Sequence, residues 1–512
     1  MKLDFAKNTR RNAAAAIINR FIGAFFPFIN RSLFLWLLGP SYLGLNGLFG
    51  SILGFLILAE LGFSTAVVCS MYKPVAEDDQ ELLCAYLAYF RKVYQGVGTV
   101  ILLMGLCLFP FLRQLVHGEV PPDINMHVLY LLHLLNTTCS YFFFAYRGSI
   151  LSAYHRQDVV TNIRTVVSMI QYVAVFLVLC LTRNYYYYVI VTIVFTMLQN
   201  ILIMHEARRL FPKIVPVGKL PEALRKRVLD DIKSIFLHKV GGTITYSSDN
   251  IIISMFLGLV VVAAYGNYYY ISNTVAGITW AMYQSMTSGF GNRIYTDSRE
   301  ENFQLFMRAN RMVSIVIIWC AAMMTALYQP FIYEWTRGKP DLLCHFLTPV
   351  LMVLYFYVNQ SRQVLLSFKS AAALWRHDRW KPVVAGIINL TLNITFVKVL
   401  PQEFKLDGVI LSTIISFVFV QIPWESHVMF TKYFDAQQSR RYWRFQATFA
   451  LLAVAMCAIS WSAVSLVHLG GILGLLVKGA VAFAVSGALC LLAFRQDILD
   501  ILRRLLPKKQ QA

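Results

Sequence analysis

Apolar runs of about 20 residues recur along the whole chain, separated by short polar connections. A helix of that length crosses roughly 30 Å of hydrocarbon. The pattern predicts about 14 spans, at 12–38, 45–72, 84–112, 125–151, 160–182, 185–206, 233–257, 260–290, 304–333, 342–372, 380–400, 406–432, 442–468 and 472–494. The first run departs from its own pattern, because it carries Arg20 and Arg31. At roughly 100° per residue, positions 11 apart return to within about 20° of each other, about 16 Å along the axis. A charge inside a bilayer costs about 2.5–3.5 kcal/mol even on the lenient insertion scale, so it faces protein or a wet cavity. Two cations on one face, with no acidic partner on that helix, predict a lining for something anionic.

The longest polar stretch, Glu206 to Lys239, separates six spans from the rest. Within it Leu220, Leu224, Val228, Ile232 and Ile235 or Phe236 share one face, and Arg225, Arg227, Asp230, Asp231 and Lys233 surround the other. The spacing predicts an amphipathic helix on the membrane surface that feeds span 7. The C-terminal tail repeats the pattern, with Ile498, Ile501, Leu502 and Leu505 against Arg503, Arg504, Lys508 and Lys509, and anionic lipid head groups account for both. The expected organisation is a six-helix lobe over 1–206, a linker over 207–232, a second six-helix lobe over 233–433, and a helix pair with a basic tail over 434–512.

Polar positions in the two halves correspond at a nearly constant offset, which carries Gly39 onto Gly258 and His155 close to His377. Arg31 stands before Gly39 at the interval at which Asn250 stands before Gly258. Arg20 and Lys239 precede those two glycines equally, and Arg147 precedes His155 as Lys369 precedes His377. Two parallel repeats with a site between them near the midplane are the expectation.

Composition narrows the class. With 58% hydrophobic and 14% charged residues and a mean hydropathy of +0.58, the chain carries more apolar surface than a soluble core can hide. The chain is therefore read as an all-α polytopic membrane protein. Met1 to Asn12 is polar and no small-residue site ends the first run, which argues against a cleavable signal. The net charge of +20 suggests nucleic acid until it is placed on the spans. Of the 46 Lys and Arg, about 36 fall at the termini and the even-to-odd connections. About 6 lie on the other side, and Arg20, Arg31, Arg362 and Lys478 are inside spans. The charge is a topology signal that puts both termini in the cytoplasm, and no nucleic-acid role is expected. Nine scattered cysteines without a CxxC predict neither a disulfide framework nor a metal site.

Candidate chemistry rests on polar residues within spans. Glu60 stands in span 2, Asp249 in span 7, and Asn359-Gln360-Ser361-Arg362-Gln363 in span 10. Asn389 and Asn393 share one face of span 11 at i, i+4. Each has a plainer reading as a buried pair that fixes helix packing, such as Glu60 with Arg31 or Arg20. Tyr185 to Tyr188 read as an interfacial belt, Tyr268 to Tyr270 as a cavity lining, and His133, Asn136, Thr137 and Thr138 as interhelical hydrogen bonding. No phosphate loop, dinucleotide fingerprint or nucleophile elbow is present, so an enzyme is not expected.

The stretch Asn19-Arg20, Arg31, Leu38 to Phe49 (LGPSYLGLNGLF), Ala59-Glu60-Leu61-Gly62 and Tyr72-Lys73-Pro74 resembles bacterial polysaccharide flippases of the multidrug/oligosaccharidyl-lipid/polysaccharide exporter superfamily. Ser248 to Ile253 and Tyr265-Gly266-Asn267-Tyr268 extend the resemblance over nearly the whole chain. It implies a V-shaped fold of two six-helix lobes around a cavity, with spans 13 and 14 outside. It also implies a polyprenyl-pyrophosphate oligosaccharide as substrate, moved to the outer leaflet of the bacterial inner membrane by alternating access. A pyrophosphate suits arginine forks, and Arg20, Arg31, Arg362 and Gln360 are the expected contacts. The related lipid II flippases imply a sodium site, onto which Asp249, Asn389, Asn393 and Thr413 map, with an amide at Asn393 in place of a carboxylate. Glu60 is an alternative proton or cation site. The implied coupling ion is thus Na+ or H+, with no covalently bound cofactor. The implied partners are membrane lipids and polysaccharide polymerase machinery, and the chain is expected to be a monomer. A cation-coupled drug exporter of the same fold and a membrane-embedded polymerase or ligase are the rival readings.

Overall fold

A computed structural model describes residues 23, 25–57, 63–142, 145–294 and 296–497. Arg20, Glu60 and the tail from Ile498 lie outside the described residues. The described chain is helical, and each of the 14 predicted runs contains helix. Among the described residues, 9 helical segments are long and apolar enough to cross a membrane by length and composition.

The chain divides into two compact units between Ala263 and Ala264. The first holds α1 (Phe25–Leu37), α2 (Pro40–Leu56), α3 (Phe63–Glu77), α4 (Gln80–Leu108), α5 (Met126–Phe142), α6 (Gly148–Ala153), α7 (Gln157–Thr182), α8 (Tyr185–Leu210) and α9 (Glu222–Leu257). The second takes most of α10 (Leu259–Arg293), then α11 (Arg299–Trp335), α12 (Leu347–Ser361), α13 (Gln363–Ala371), α14 (Lys381–Val399), α15 (Lys405–Ile415), α16 (Ile422–Lys432), α17 (Ala436–Ser465) and α18 (Gly471–Ala493).

Local chemistry sets the helix starts. Asp79 caps α4 by accepting from the Leu82 N–H at 2.9 Å, and Asn184 caps α8 through the Tyr186 N–H at 2.8 Å. Ser298 with Glu301 and Asp435 with Gln438 form complete capping boxes at α11 and α17. Close packing within the first unit relies on glycine. Gly98 and Gly105 share one face of α4, where added Cβ atoms would meet Tyr141 at 2.8 Å and Leu134 at 2.5 Å on α5.

Two features bear on the expected organisation. No separate surface helix precedes span 7, because one continuous helix runs from Glu222 through Leu257. No glycine or proline interrupts the sequence between Glu222 and the end of the polar stretch, so nothing breaks the helix there. The expected start of the second lobe at 233 is also not where the compact units divide. The helix α9 packs on α2 and α3 inside the first unit, and Asn250 Nδ2 donates to Ser51 Oγ at 2.8 Å.

The repeat has local structural support. Gly39 (φ 115, ψ 176) and Gly258 (φ 89, ψ 172) adopt nearly the same backbone conformation, one open essentially to glycine alone. The Gly39 N–H donates to the Phe34 carbonyl and the Gly258 N–H to the Ile253 carbonyl, at 3.3 and 3.0 Å. The Leu43 and Val262 N–H groups then return to the two glycine carbonyls at 3.3 and 3.2 Å. Every partner keeps the same offset that carries Gly39 onto Gly258.

Candidate functional site

In the first unit, Arg31 is half-buried on α1 and donates from Nη2 to the Ala263 carbonyl at 3.4 Å. Asp249 is buried on α9, beside buried Ser248. Nearby the polar residues form a neutral relay. Tyr185 OH donates to Asn46 Oδ1 at 3.1 Å and lies 3.1 Å from His133 Nε2. Tyr185 is 1% exposed, which corrects its reading as part of an interfacial belt. Its hydroxyl has two protein partners in place of water. Thr137 and Thr138 instead bond back to carbonyls of their own helix.

Span 10 breaks where its polar run lies. Ser361 Oγ donates to the Val358 carbonyl at 3.1 Å, and Gln363 Nε2 to the Asn359 carbonyl at 3.2 Å. These bonds compete with the helix ladder, and Arg362 falls at the junction of α12 and α13. Gln360 is a clasp to α10. Its Oε1 accepts from Thr279 at 2.7 Å and its carbonyl from Tyr283 at 2.9 Å. Tyr268, expected to line a cavity, is wholly buried and donates to Gln329 Oε1 at 2.7 Å.

Span 12 is broken too. A π-helical segment, Ser416–Gln421, joins α15 to α16. Pro423, just inside α16, has no N–H to give to the Phe419 carbonyl one turn back. Arg362 links the two spans at their irregular points. The Arg362 guanidinium lies 4.7 Å from the Phe417 ring centroid and donates from Nη2 to Glu425 Oε1 at 2.8 Å.

Glu425 opens into a charged cluster. Lys381 Nζ, at the start of α14, donates to Glu425 Oε1 and lies 3.4 Å from Asp378 Oδ2, which also accepts from Lys369 Nζ on α13. Sequence reasoning noted Lys369 only as a repeat position and did not identify Lys381, Asp378 or Glu425. The available signal was Glu425, an acid inside the apolar run 406–432.

Asn389, Asn393 and Thr413 do come together. Asn389 Nδ2 donates to Thr413 Oγ1 at 2.9 Å, Asn393 Nδ2 to Asn389 Oδ1 at 3.4 Å, and Ser412 Oγ to Asn393 Oδ1. All four side chains are buried between α14 and α15. Hard oxygen donors suit a cation, yet these oxygens already accept from one another and no carboxylate is among them. As arranged, these bonds tie α14 to α15. Asp249, expected to complete it, belongs to the other compact unit.

No family model matches the sequence, and no curated protein matches it. The fold is nevertheless shared with solved transporters of the MOP superfamily. The structure of the lipid II flippase MurJ in an inward closed conformation aligns at a TM-score of 0.60 and 15% identity, over 95% of this chain and 99% of that one. An inward-facing multidrug resistance MATE family transporter aligns at 0.54 and 15% identity, over 81% of this chain and 98% of that one. A MOP superfamily transporter from Pyrococcus furiosus, described as having a binding pocket of reverse polarity, aligns at 0.52 and 14% identity, over 83% and 96%. These neighbours are transporters and a flippase, not enzymes.

Proposed function

We propose that the chain is a flippase that moves a polyprenyl-pyrophosphate-linked oligosaccharide from the inner to the outer leaflet of a bacterial cytoplasmic membrane, with both termini cytoplasmic. One observation carries the reading. The likeness to the lipid II flippase spans 95% of this chain, whereas the MATE transporter likenesses cover 81 to 86% of it. The chain thus matches the flippase over nearly the whole length of both chains. The basic face of span 1 supports an anionic head group, because arginine forks match phosphate oxygens bidentately. A drug exporter for organic cations calls for acids at those positions.

Arg31 is the residue we assign to the pyrophosphate, together with Arg20. Arg362 is given no such role, because it is buried and donates to Glu425. Two six-helix lobes would alternate access, with the lipid tail left in the bilayer. The test is native mass spectrometry of the purified protein with polyprenyl-pyrophosphate oligosaccharides extracted from its host. Wild type is expected to retain them and Arg31→Ala to lose them by about tenfold or more. Retention of organic cations instead would sink the reading in favour of the drug exporter.

A further inference from the structure

The cluster around Glu425 carries more charge than it can balance. Among the described side chains, two carboxylates, Asp378 and Glu425, face three cations, Arg362, Lys369 and Lys381, and all five residues are at most 7% exposed. Three positive charges less two negative leave one positive charge. Four polar atoms of the same cluster, Asp378 Oδ1, Glu425 Oε2, Arg362 Nε and Ser426 Oγ, have no hydrogen-bond partner among the described residues. An uncompensated buried charge is among the most costly features a protein can hold. Two species can relieve it, an added anion or a departing proton. The two bare carboxylate oxygens repel an anion, and every ammonium already has a carboxylate. A proton is therefore the ligand the cluster fits.

The geometry also selects the residue. A guanidinium does not lose its proton in proteins, which removes Arg362. Lys381 is held by both carboxylates. Lys369 reaches only Asp378, and shares it. Glu425 on α16 and Lys381 on α14 act on Lys369 electrostatically. Tyr433 packs on the neighbouring Phe368, Tyr442 of α17 is felt by Glu425, and α11 presents the Phe306 ring. His377, next to Asp378, is exposed, so water lies one residue from the cluster.

We propose that Lys369, held by Asp378, is a single-proton binding site of the second unit. Unloaded, the Lys369 amine leaves two cations against two carboxylates. Loaded, the ammonium restores the single positive charge, and the proton is exchanged with water through the connection 372–380. The charge changes beside the junction at Arg362 in span 10 and the π-helical segment Ser416–Gln421 in span 12. That the proton drives transport rests on the flippase reading; the site itself does not.

The site is read on the wild-type full chain by carbon NMR of protein labelled at lysine Cε. Lys369→Arg identifies the Lys369 signal by its loss, and Lys381→Arg leaves that signal in place. The signal is expected to show its change from ammonium to amine below about pH 10, the ordinary lysine value. An ammonium that persists to about pH 10, the ordinary lysine value, overturns the site. So does an amine that stays neutral down to about pH 5. Coupling is read in phosphatidylethanolamine–phosphatidylglycerol vesicles holding a fluorescent polyprenyl-pyrophosphate oligosaccharide. An imposed pH gradient is expected to speed flipping about fivefold in wild type and not in Lys369→Arg. A titrating Lys369 without any gradient response in wild type keeps the proton site and overturns its coupling.

Discussion

Arg147 in the first unit and Lys369 in the second hold matching places, each at the same interval before a histidine and each close to a span end. Both are 4% exposed. Their charges are handled differently. Arg147 Nη1 donates to the Ile214 carbonyl at 3.1 Å and its guanidinium lies 5.7 Å from the Tyr146 ring centroid, while the first acid after His155, Asp158, is taken by Arg156 at 3.1 Å. Lys369 instead meets a carboxylate, Asp378, and through it Lys381 and Glu425. A carbonyl dipole satisfies hydrogen-bond geometry and leaves the charge; a carboxylate cancels the charge and makes the neighbours interdependent. The same repeat position thus yields an isolated anchor in one unit and a network in the other.

The contrast predicts its own largest effect. Glu425→Ala leaves Arg362 and Lys381 buried without their shared partner, and is expected to cost about 3–5 kcal/mol. Arg147→Met removes one carbonyl bond and leaves no orphaned charge, so its cost is expected near 1–2 kcal/mol. Thermal unfolding in detergent measures both. Adding Arg362→Met to Glu425→Ala is expected to restore part of the loss, because the orphaned guanidinium goes with it. Equal costs for Glu425→Ala and Arg147→Met would erase the distinction between network and anchor.

A second test concerns backbone approach within the first unit. At Gly44 on α2 an added Cβ would lie 1.8 Å from the Leu259 carbonyl oxygen and 2.6 Å from its carbon. Backbone cannot move aside as a side chain can, so Gly44→Ala is expected to cost about 2–3 kcal/mol. Gly50 lies on the same helix with nothing within 4 Å. There alanine is expected to be neutral or to stabilise by up to about 1 kcal/mol, its helix-propensity advantage. A Gly50→Ala variant less stable than Gly44→Ala would contradict the close contact of α2 with the start of α10.

These pairs also separate what the sequence disclosed from what it hid. The spans were legible because a long apolar run has few alternatives, and the turn glycines because Gly39 and Gly258 stand at one offset. The polar contacts were less so. Arg362 was read as facing a substrate because its partner, Glu425, lies far along the chain on another span, and pairing across helices leaves no periodic trace. Lys369 and Asp378 face each other across a helix end, at a spacing that fits no helical rule. Asn389 and Asn393 were placed correctly on one face, but their bonding to Ser412 and Thr413 across two helices left no periodic trace. Pattern finds faces; it does not say what a face meets.

The smallest expected effect separates two uses of one aromatic run. Tyr185 is buried and its hydroxyl joins Asn46 to His133, whereas Tyr187, in the same run, is 52% exposed. Tyr185→Phe removes a hydroxyl that satisfies two half-buried groups, and its cost is expected near 1–2 kcal/mol. Tyr187→Phe changes a side chain free to find other partners at the interface, and is expected to stay within about 0.5 kcal/mol of wild type. His133→Gln is a third arm, because an amide can still take the Tyr185 hydroxyl as partner and recover part of what Tyr185→Phe loses. If Tyr185→Phe unfolds with wild type while Tyr187→Phe does not, the run is a belt after all, and the buried relay through Asn46, Tyr185 and His133 contributes nothing to holding the first unit together.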